Sequence, residues 1–361
     1  MNYEEIIAKF CRIFNYATDG TLRLIYCEID STDPYLEACW KETLISQEIE
    51  PFGFSRNKIL YSSEYFRTSN HEIKNYLFCA LKNENVIGIF SYSIEFKKDT
   101  RKIIKIFNFT FPLNRRSLNI FDQNSFFQAW IKTLTSEFFL NLIHTSPIEC
   151  PEESDFGNFI QNNNQFQKHF TYLGFRQNYS VDLRKSEFEI FANIRKSYKS
   201  LVNKQTRSHE LKIMNSNNFS FDEWLRFKDL HFYVSGRQTR NQKTWNIQAE
   251  ELASGNAYLV YALQNGKMIG GTYVIKSGSQ AYYGVGAYIR NNPNLMCSHA
   301  LQYLAILEAK NAGLITYIIG NACVENNYLL YSEKEKSIAN FKRGYADGYF
   351  FSLVYTFDKS K

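Results

Sequence analysis

Residues 234–245, VSGRQTRNQKTW, set Arg237, Thr239, Arg240 and Lys243 close together with no acidic side chain among them. A planar guanidinium fork meets carboxylate or phosphate oxygens two at a time, so this loop suits an anionic substrate. Ser235, Gly236 and Trp245 give it a shaped composition; the alternative is a solvated basic loop. His231, just upstream, is a candidate base. Ser298 and His299 open a segment of helical periodicity, where free amide groups and the helix dipole favour an anion. Ser298 reads as helix cap or substrate contact, and His299 as donor contact, base or structural imidazole. Lys342, in FKR, lies near the end of another helical segment. Its ammonium could neutralise charge developing on a reacting carbonyl or hold a phosphate, against the plain alternative of a lysine favoured at a helix C-terminus. Arg343 is a second phosphate contact or a solvated side chain. Tyr282 and Tyr283 alternate on one strand and face opposite sides of its sheet, with Tyr283 taken as the one lining a cleft.

Other chemistries have no foothold. The sequence contains no GxSxG, P-loop, HExxH or Rossmann GxGxxG motif. Its seven cysteines are scattered without a CxxC pair, which indicates neither a disulfide framework nor a zinc cluster, and points to core thiols in a reducing compartment. The N-terminal MNYEEIIAKF is acidic and amphipathic, unlike a signal peptide, and no apolar run reaches membrane-spanning length. A cytoplasmic location is expected. The 42 basic and 36 acidic side chains leave a formal charge of +6. That excess permits an anionic partner such as a nucleotide, a phosphorylated sugar or RNA, but is small for a dedicated DNA binder.

These residues need elements to hold them. With 361 residues, 44% of them apolar and 17% aromatic, the chain has material for two cores. ALKNENVIG at 80–88 is echoed by ALQNGKMIG at 262–270, an offset of 262 − 80 = 182 residues. Each copy sits in a three-stranded meander: 75–81, 86–96 and 103–111 in the first half, 258–263, 267–275 and 281–289 in the second. A strand and a helix precede each meander, and a helix, strand, helix and strand follow it. This shared order predicts a duplicated α+β fold, each copy a mixed, mostly antiparallel sheet flanked by helices, divided at residues 1–185 and 186–361. GVG at 284–286 falls inside a strand, where it reads as a bulge or a close backbone approach. A basic helix over 193–207 carries an apolar stripe of Ile194, Tyr198, Leu201 and Val202.

This order is similar to that of the GNAT acyltransferase fold, and two such domains in tandem resemble the FemAB-like family of peptidyl and acyl transferases. The residues that carry the resemblance are NIRKSYKSLVNKQTR at the start of the second half, the aromatic meander, and EKEKSIANFKRGYADGYF near the end. In that last stretch a Phe-Lys pair precedes a glycine-containing turn and the final strand. The resemblance implies a bacterial transferase of cell-envelope biogenesis, forming an amide on an amino group of a polysaccharide or peptidoglycan precursor. It points to Lys342 as the reacting-site cation and places the 234–245 loop beside the acceptor. The donor it implies is acyl-CoA or aminoacyl-tRNA, acting as a substrate with no tightly bound cofactor; the acceptor is a small or nucleotide-linked molecule, with tRNA as a possible partner. A non-catalytic binding module on the same fold is the remaining alternative. One departure stands out: RNNPNLMCSHA and LNRRSLNIFDQNS, the stretches before the two central helices, lack the glycines that hold a CoA pyrophosphate in common GNAT enzymes.

Overall fold

The computed structural model describes residues 3–29, 33–45, 56–65, 67, 71–100, 103–107, 113–114, 120–134, 136, 148–151, 170–324 and 330–357. The chain forms two compact units, one of Met1–Phe175 with Ser352–Lys361 and the other of Arg176–Phe351.

In the first unit, α1 (Tyr3–Ala17), β1 (Arg23–Glu28), α2 (Pro34–Ile45) and α3 (Arg56–Tyr65) precede the meander β2 (His71–Lys82), β3 (Asn85–Lys97) and β4 (Ile103–Phe107). A short β5 (Leu113–Asn114) pairs with β3, and α4 (Ile120–Leu134) follows. The sheet order is β1-β2-β3-β4, antiparallel throughout. Ile6, Ile7, Phe10 and Phe14 recur at helical spacing on α1 and are wholly buried, which docks that helix on the core. β6 (Ile148–Pro151) pairs with residues 352–355 of the last strand. The helix expected near 156–170 lies outside the described residues.

The second unit takes in the end of β7 (Phe170–Asp182), then α5 (Glu187–Asn193), α6 (Lys196–Ser208), β8 (Glu210–Met214), α7 (Phe221–Ser235) and α8 (Gln242–Ala253). The meander β9 (Ala257–Gln264), β10 (Lys267–Ser277) and β11 (Gln280–Tyr288) comes next. It is followed by α9 (Ser298–Asn311), β12 (Thr316–Asn321), α10 (Glu333–Arg343) and β13 (Gly348–Phe357). Its strands run in the order β7-β12-β11-β10-β9-β8. β11 and β12 pair in parallel, whereas β10 with β11, β9 with β10, β8 with β9 and β7 with β12 pair antiparallel, so the sheet is mixed and mostly antiparallel. Two apolar clusters coat its two faces. One gathers Tyr258, Val274, Ala281 and Tyr288 under Leu301 and Ala305 of α9; the other gathers Leu259, Tyr273 and Val285 under Trp224 and Phe227 of α7 and Trp245 of α8.

Two local predictions are corrected. The basic helix begins at Lys196 rather than at 193, because Ile194 and Arg195 (ψ 139° and 131°) separate it from α5. The loop 234–245 is shorter than expected. Asn241 accepts from Thr244 N at 3.0 Å and caps α8, so Lys243 and Trp245 belong to a helix whose Trp245, Ala249 and Leu252 are buried.

The echoed segments do the same structural work. In the first, Ala80 pairs with Gly88 and Leu81 with Val86, leaving Ile87 unpaired as a bulge. In the second, Ala262 pairs with Gly270 and Leu263 with Met268, leaving Ile269 unpaired. Each glycine then lets the central helix of its unit approach: a Cβ on Gly88 would stand 2.3 Å from the Phe126 ring of α4, and one on Gly270 2.3 Å from Cys297 Sγ at the start of α9. A shared bulge and a shared glycine contact, at the same offset, are the physical signature of one hairpin used twice. Gly270→Ala is expected to lower the unfolding free energy by about 1–3 kcal/mol through overpacking, as measured by urea denaturation, whereas Gly266→Ala, whose Cβ would meet nothing within 4 Å, is expected to lose less and only through its positive φ.

Candidate functional site

β11 and β12 pair over only Gln280–Thr316, Ala281–Tyr317 and Tyr282–Ile318, although both strands continue. Just beyond, each is irregular. Against β10 the partners of Val274 and Tyr273 are Tyr283 and Val285, so Gly284 is bulged out, as the GVG stretch predicts. Against β7, β12 skips Ile319 before Gly320, whose φ is +117°. The two parallel strands therefore stop bonding to each other where their side chains change from Tyr282 to Tyr283 and from Ile318 to Gly320. A fork in a sheet leaves backbone amide groups free to meet a ligand.

Lys342 fills the mouth of this fork. The capping box of Ser332 with Glu335 starts α10, whose buried Ala339 faces the core; Lys342, three residues on, shares that inward face, while Arg343 is exposed. The Lys342 Nζ lies 5.3 Å from the Tyr283 ring centroid, and a Cβ on Gly320 would be 2.7 Å from it. Gly320 is thus the one residue type that leaves the ammonium its place. The Lys342 ammonium makes no hydrogen bond or ion pair with any described residue. Burial lowers its pKa, and the Cys323 thiol opposes that shift. A largely buried cation that meets only a ring face among the described residues carries an electrostatic deficit, which an anion or a polarised carbonyl would relieve.

Around it, on the α9 face, lies a ring of buried hydroxyl and amide groups. Tyr283 and Tyr288 hydroxyls are 3.4 Å apart, and Tyr288 meets Thr272 Oγ1 at 2.6 Å. Burial raises the pKa of both phenols, so they stay protonated donors at neutral pH. Gln302 donates to the Tyr317 hydroxyl at 3.2 Å, and its buried Oε1 has no hydrogen-bond partner among the described residues.

The start of α9 is occupied by the protein itself. Its N-cap is Cys297, not Ser298, and Gln205 Oε1 of α6 accepts from His299 N at 2.9 Å and Ala300 N at 3.0 Å. The anion-binding amides expected there are spent on a side chain. His299 is buried, with Nδ1 2.7 Å from the Tyr345 hydroxyl and its ring packed on Tyr198 and Phe341. Burial drops its pKa to about 4, which makes it a neutral core imidazole at pH 7.

A separate group forms on the α7–α8 face. His231, Arg237, Thr239 and Trp245 line a cavity of about 270 Å³ together with Lys228 and Phe232. The His231 ring lies 5.2 Å from that of Trp245, and Arg240 stacks over the same indole at 4.6 Å while donating to Gln248 at 3.2 Å. Burial, and then the Arg240 charge, lower the His231 pKa to about 4. Trp245 is floor rather than loop, being 5% exposed. The larger cavity of the first unit, about 430 Å³, is lined by His71, Lys97, Lys98 and Asp99, none of which the sequence singles out.

No family model matches this sequence, and no curated protein matches it. Solved structures do. FemX superposes with a TM-score of 0.58 at 12% identity, over 91% of this chain and 97% of its own. A conserved protein of unknown function from Bacteroides thetaiotaomicron gives 0.56 at 9%, over 92% and 100%. A tandem GNAT protein from the clavulanic acid biosynthesis pathway gives 0.50 at 10%, over 94% and 98%. The fold is a tandem GNAT fold. Within it, the bulged β11, the helix α9 and the fork beside β12 belong to the second GNAT unit.

Sequence patterns pick out Lys342 and Tyr283, which meet, and His231, Arg237, Thr239 and Trp245, which meet elsewhere. They miss Gln205, Gly320, Tyr288 and Gln302. Gln205 offers no local signal, since its role is fixed by where α6 packs, whereas the GN pair at 320–321 after an apolar strand marks a backbone break. Among the described residues no helix is long and apolar enough to cross a membrane, and no group of three or more His, Cys, Asp or Glu could hold a metal ion. His231 and His299 both have folded-state pKa values below the usual 6.5. The stability that comes from keeping them neutral is complete above pH 6.5 and is lost as pH falls toward about 4. The midpoint of urea unfolding should accordingly drop across that window, and His299→Gln should flatten the drop.

Proposed function

We propose that the protein transfers an acyl or aminoacyl group directly to an amine, with the reacting carbonyl seated in the fork between β11 and β12. The observation that carries this reading is the Lys342 ammonium, largely buried and without a counter-charge among the described residues, between Tyr283 and Gly320. The acceptor's neutral amine attacks the carbonyl carbon, the carbonyl π pair moves to oxygen, and the ammonium of Lys342 stabilises that oxyanion. Collapse re-forms the carbonyl, expels the donor's thiol or ribose hydroxyl, and the amine proton leaves with it or to water. No covalent enzyme intermediate is needed, in keeping with the absence of a nucleophile motif.

The acceptor class we infer is an amino sugar or peptide stem of a cell-envelope precursor, met in the cytoplasm of a bacterium; the resemblance to the FemAB-like family supports this. For the donor, Gln205 favours the second reading over the first. In a GNAT unit the amides at the head of the central helix would receive a CoA pyrophosphate, and here Gln205 Oε1 already takes those of His299 and Ala300. An aminoacyl-tRNA makes no such demand, so we place it ahead of acyl-CoA.

Lys342→Met should lower kcat about 100- to 1000-fold with an aminoacyl-tRNA donor and an envelope amine acceptor, while Tm stays level or rises because a desolvated charge is gone. Unchanged turnover, or a Tm loss that accounts for the lost activity, would make Lys342 structural. With the wild type, product formed from acyl-CoA but not from aminoacyl-tRNA would reverse the donor assignment.

A further inference from the structure

We propose that the cavity under the α7–α8 turn is an anion subsite, built to hold a carboxylate or phosphate of the acceptor while its amine reaches the fork. The assignment to the acceptor rests on the transferase reading above; the anion subsite itself stands on geometry. The Thr239 hydroxyl is buried in the cavity wall and has no hydrogen-bond partner among the described residues, a cost that a bound acceptor atom would remove. Beside it, Arg237 makes no hydrogen bond or ion pair through its guanidinium with any described residue, although it lines the same cavity. Its backbone carbonyl accepts from Ser235 at 2.7 Å, which fixes the turn that carries it. Gly236, with φ +67°, ends α7 in the left-handed conformation and sends the chain across the cavity mouth.

The charges of the wall decide the sign of the ligand. Lys228 and Arg237 face the cavity against one carboxylate, Asp229. Lys228 is held by Gln242 Oε1 at 3.1 Å, and Arg240 is stacked on the floor indole. His231 is neutral. One guanidinium fork, one hydroxyl donor and an aromatic floor suit an oxyanion of one or two exposed oxygens. The volume of about 270 Å³ admits such a group and a few linked atoms but no more.

Position sets this cavity apart from the place of the donor's carbonyl. Trp245 packs in the cluster with Tyr273 and Val285, while Tyr283 packs in the cluster with α9. The cavity and Lys342 therefore belong to opposite faces of one sheet, and the fork is the break in hydrogen bonding between them. The donor's carbonyl and the acceptor's anion would be held on different sides, so each charge reads a different substrate.

Isothermal titration calorimetry on the full chain, with methyl phosphate in one arm and acetate in the other, tests this without any turnover. At least one probe should saturate one site, and the tighter one names the group. Arg237→Met and Thr239→Val should each weaken it about tenfold, Arg237→Lys should recover part of the loss, and Lys342→Met should leave it unchanged. Saturation by neither probe, or affinities indifferent to Arg237 and Thr239, would overturn the proposal. So would a loss in Lys342→Met as large as in Arg237→Met, which would put the anion in the fork. Thr239→Val is a second, nearly isosteric probe should Arg237→Met fail to fold, and because only binding is read, a failed transferase assay leaves the subsite result intact.

Discussion

A largely buried lysine ammonium that meets no carboxylate among the described residues is the constraint on which the second unit turns. Desolvating a cation costs several kcal/mol unless something compensates, and the compensation on hand is the face of Tyr283, worth about 1–2 kcal/mol. The remainder is supplied by the rest of the fold, which holds Lys342 in place through α10. Gly344, directly after that helix, allows the approach of Tyr198, whose ring a Cβ there would meet at 2.0 Å. Arg195 N bonds to Gly344 O at 2.8 Å. Tyr198, Phe341, Tyr345 and His299 then pack as one aromatic block, so α6, α9 and α10 are locked together around the lysine's base.

The fork exists for a complementary reason. Parallel strands that stayed bonded past Tyr282 and Ile318 would close over the place where Lys342 lies. Two devices prevent it: the Gly284 bulge, which re-aims β11, and Gly320, whose backbone no L side chain adopts easily. Bulges at functional edges are a recurrent means of turning a side chain toward a site. Here the bulge also separates Tyr283 from Val285, placing one on each face of the sheet, and so keeps the polar ring near α9 distinct from the apolar packing near α8.

Much of this was legible in the residues, and the reasons differ by element. The meanders are readable because alternation and turn residues are local, and the 182-residue echo is readable because a hairpin that must take the same bulge and the same helix contact keeps Gly88 and Gly270. Lys342 is readable as a cation on the inward side of α10, three residues after Ala339. Thr239, Arg237 and His231 converge because one turn carries them. Other features are set by packing across distance. Gln205 reaches α9 from 94 positions away, and nothing in its own segment distinguishes it from the neighbouring polar residues of α6. The cap on α9 shifted from Ser298 to Cys297 for that same reason, and α8 began at Gln242 because Asn241 outcompeted the loop that the basic cluster suggested. Trp245, read as a shaped-loop residue, is a core indole over which the half-buried Arg240 stacks.

The most direct measurement is the titration of the Lys342 amine itself, followed by ¹³Cε chemical shift in protein labelled at lysine and assigned by loss of the signal in Lys342→Met. An uncompensated, desolvated ammonium should titrate below the ordinary lysine value of about 10.4 and move upward when an acyl donor occupies the fork. A Lys342 that titrates at that ordinary value, and does not move with donor, would contradict the whole arrangement.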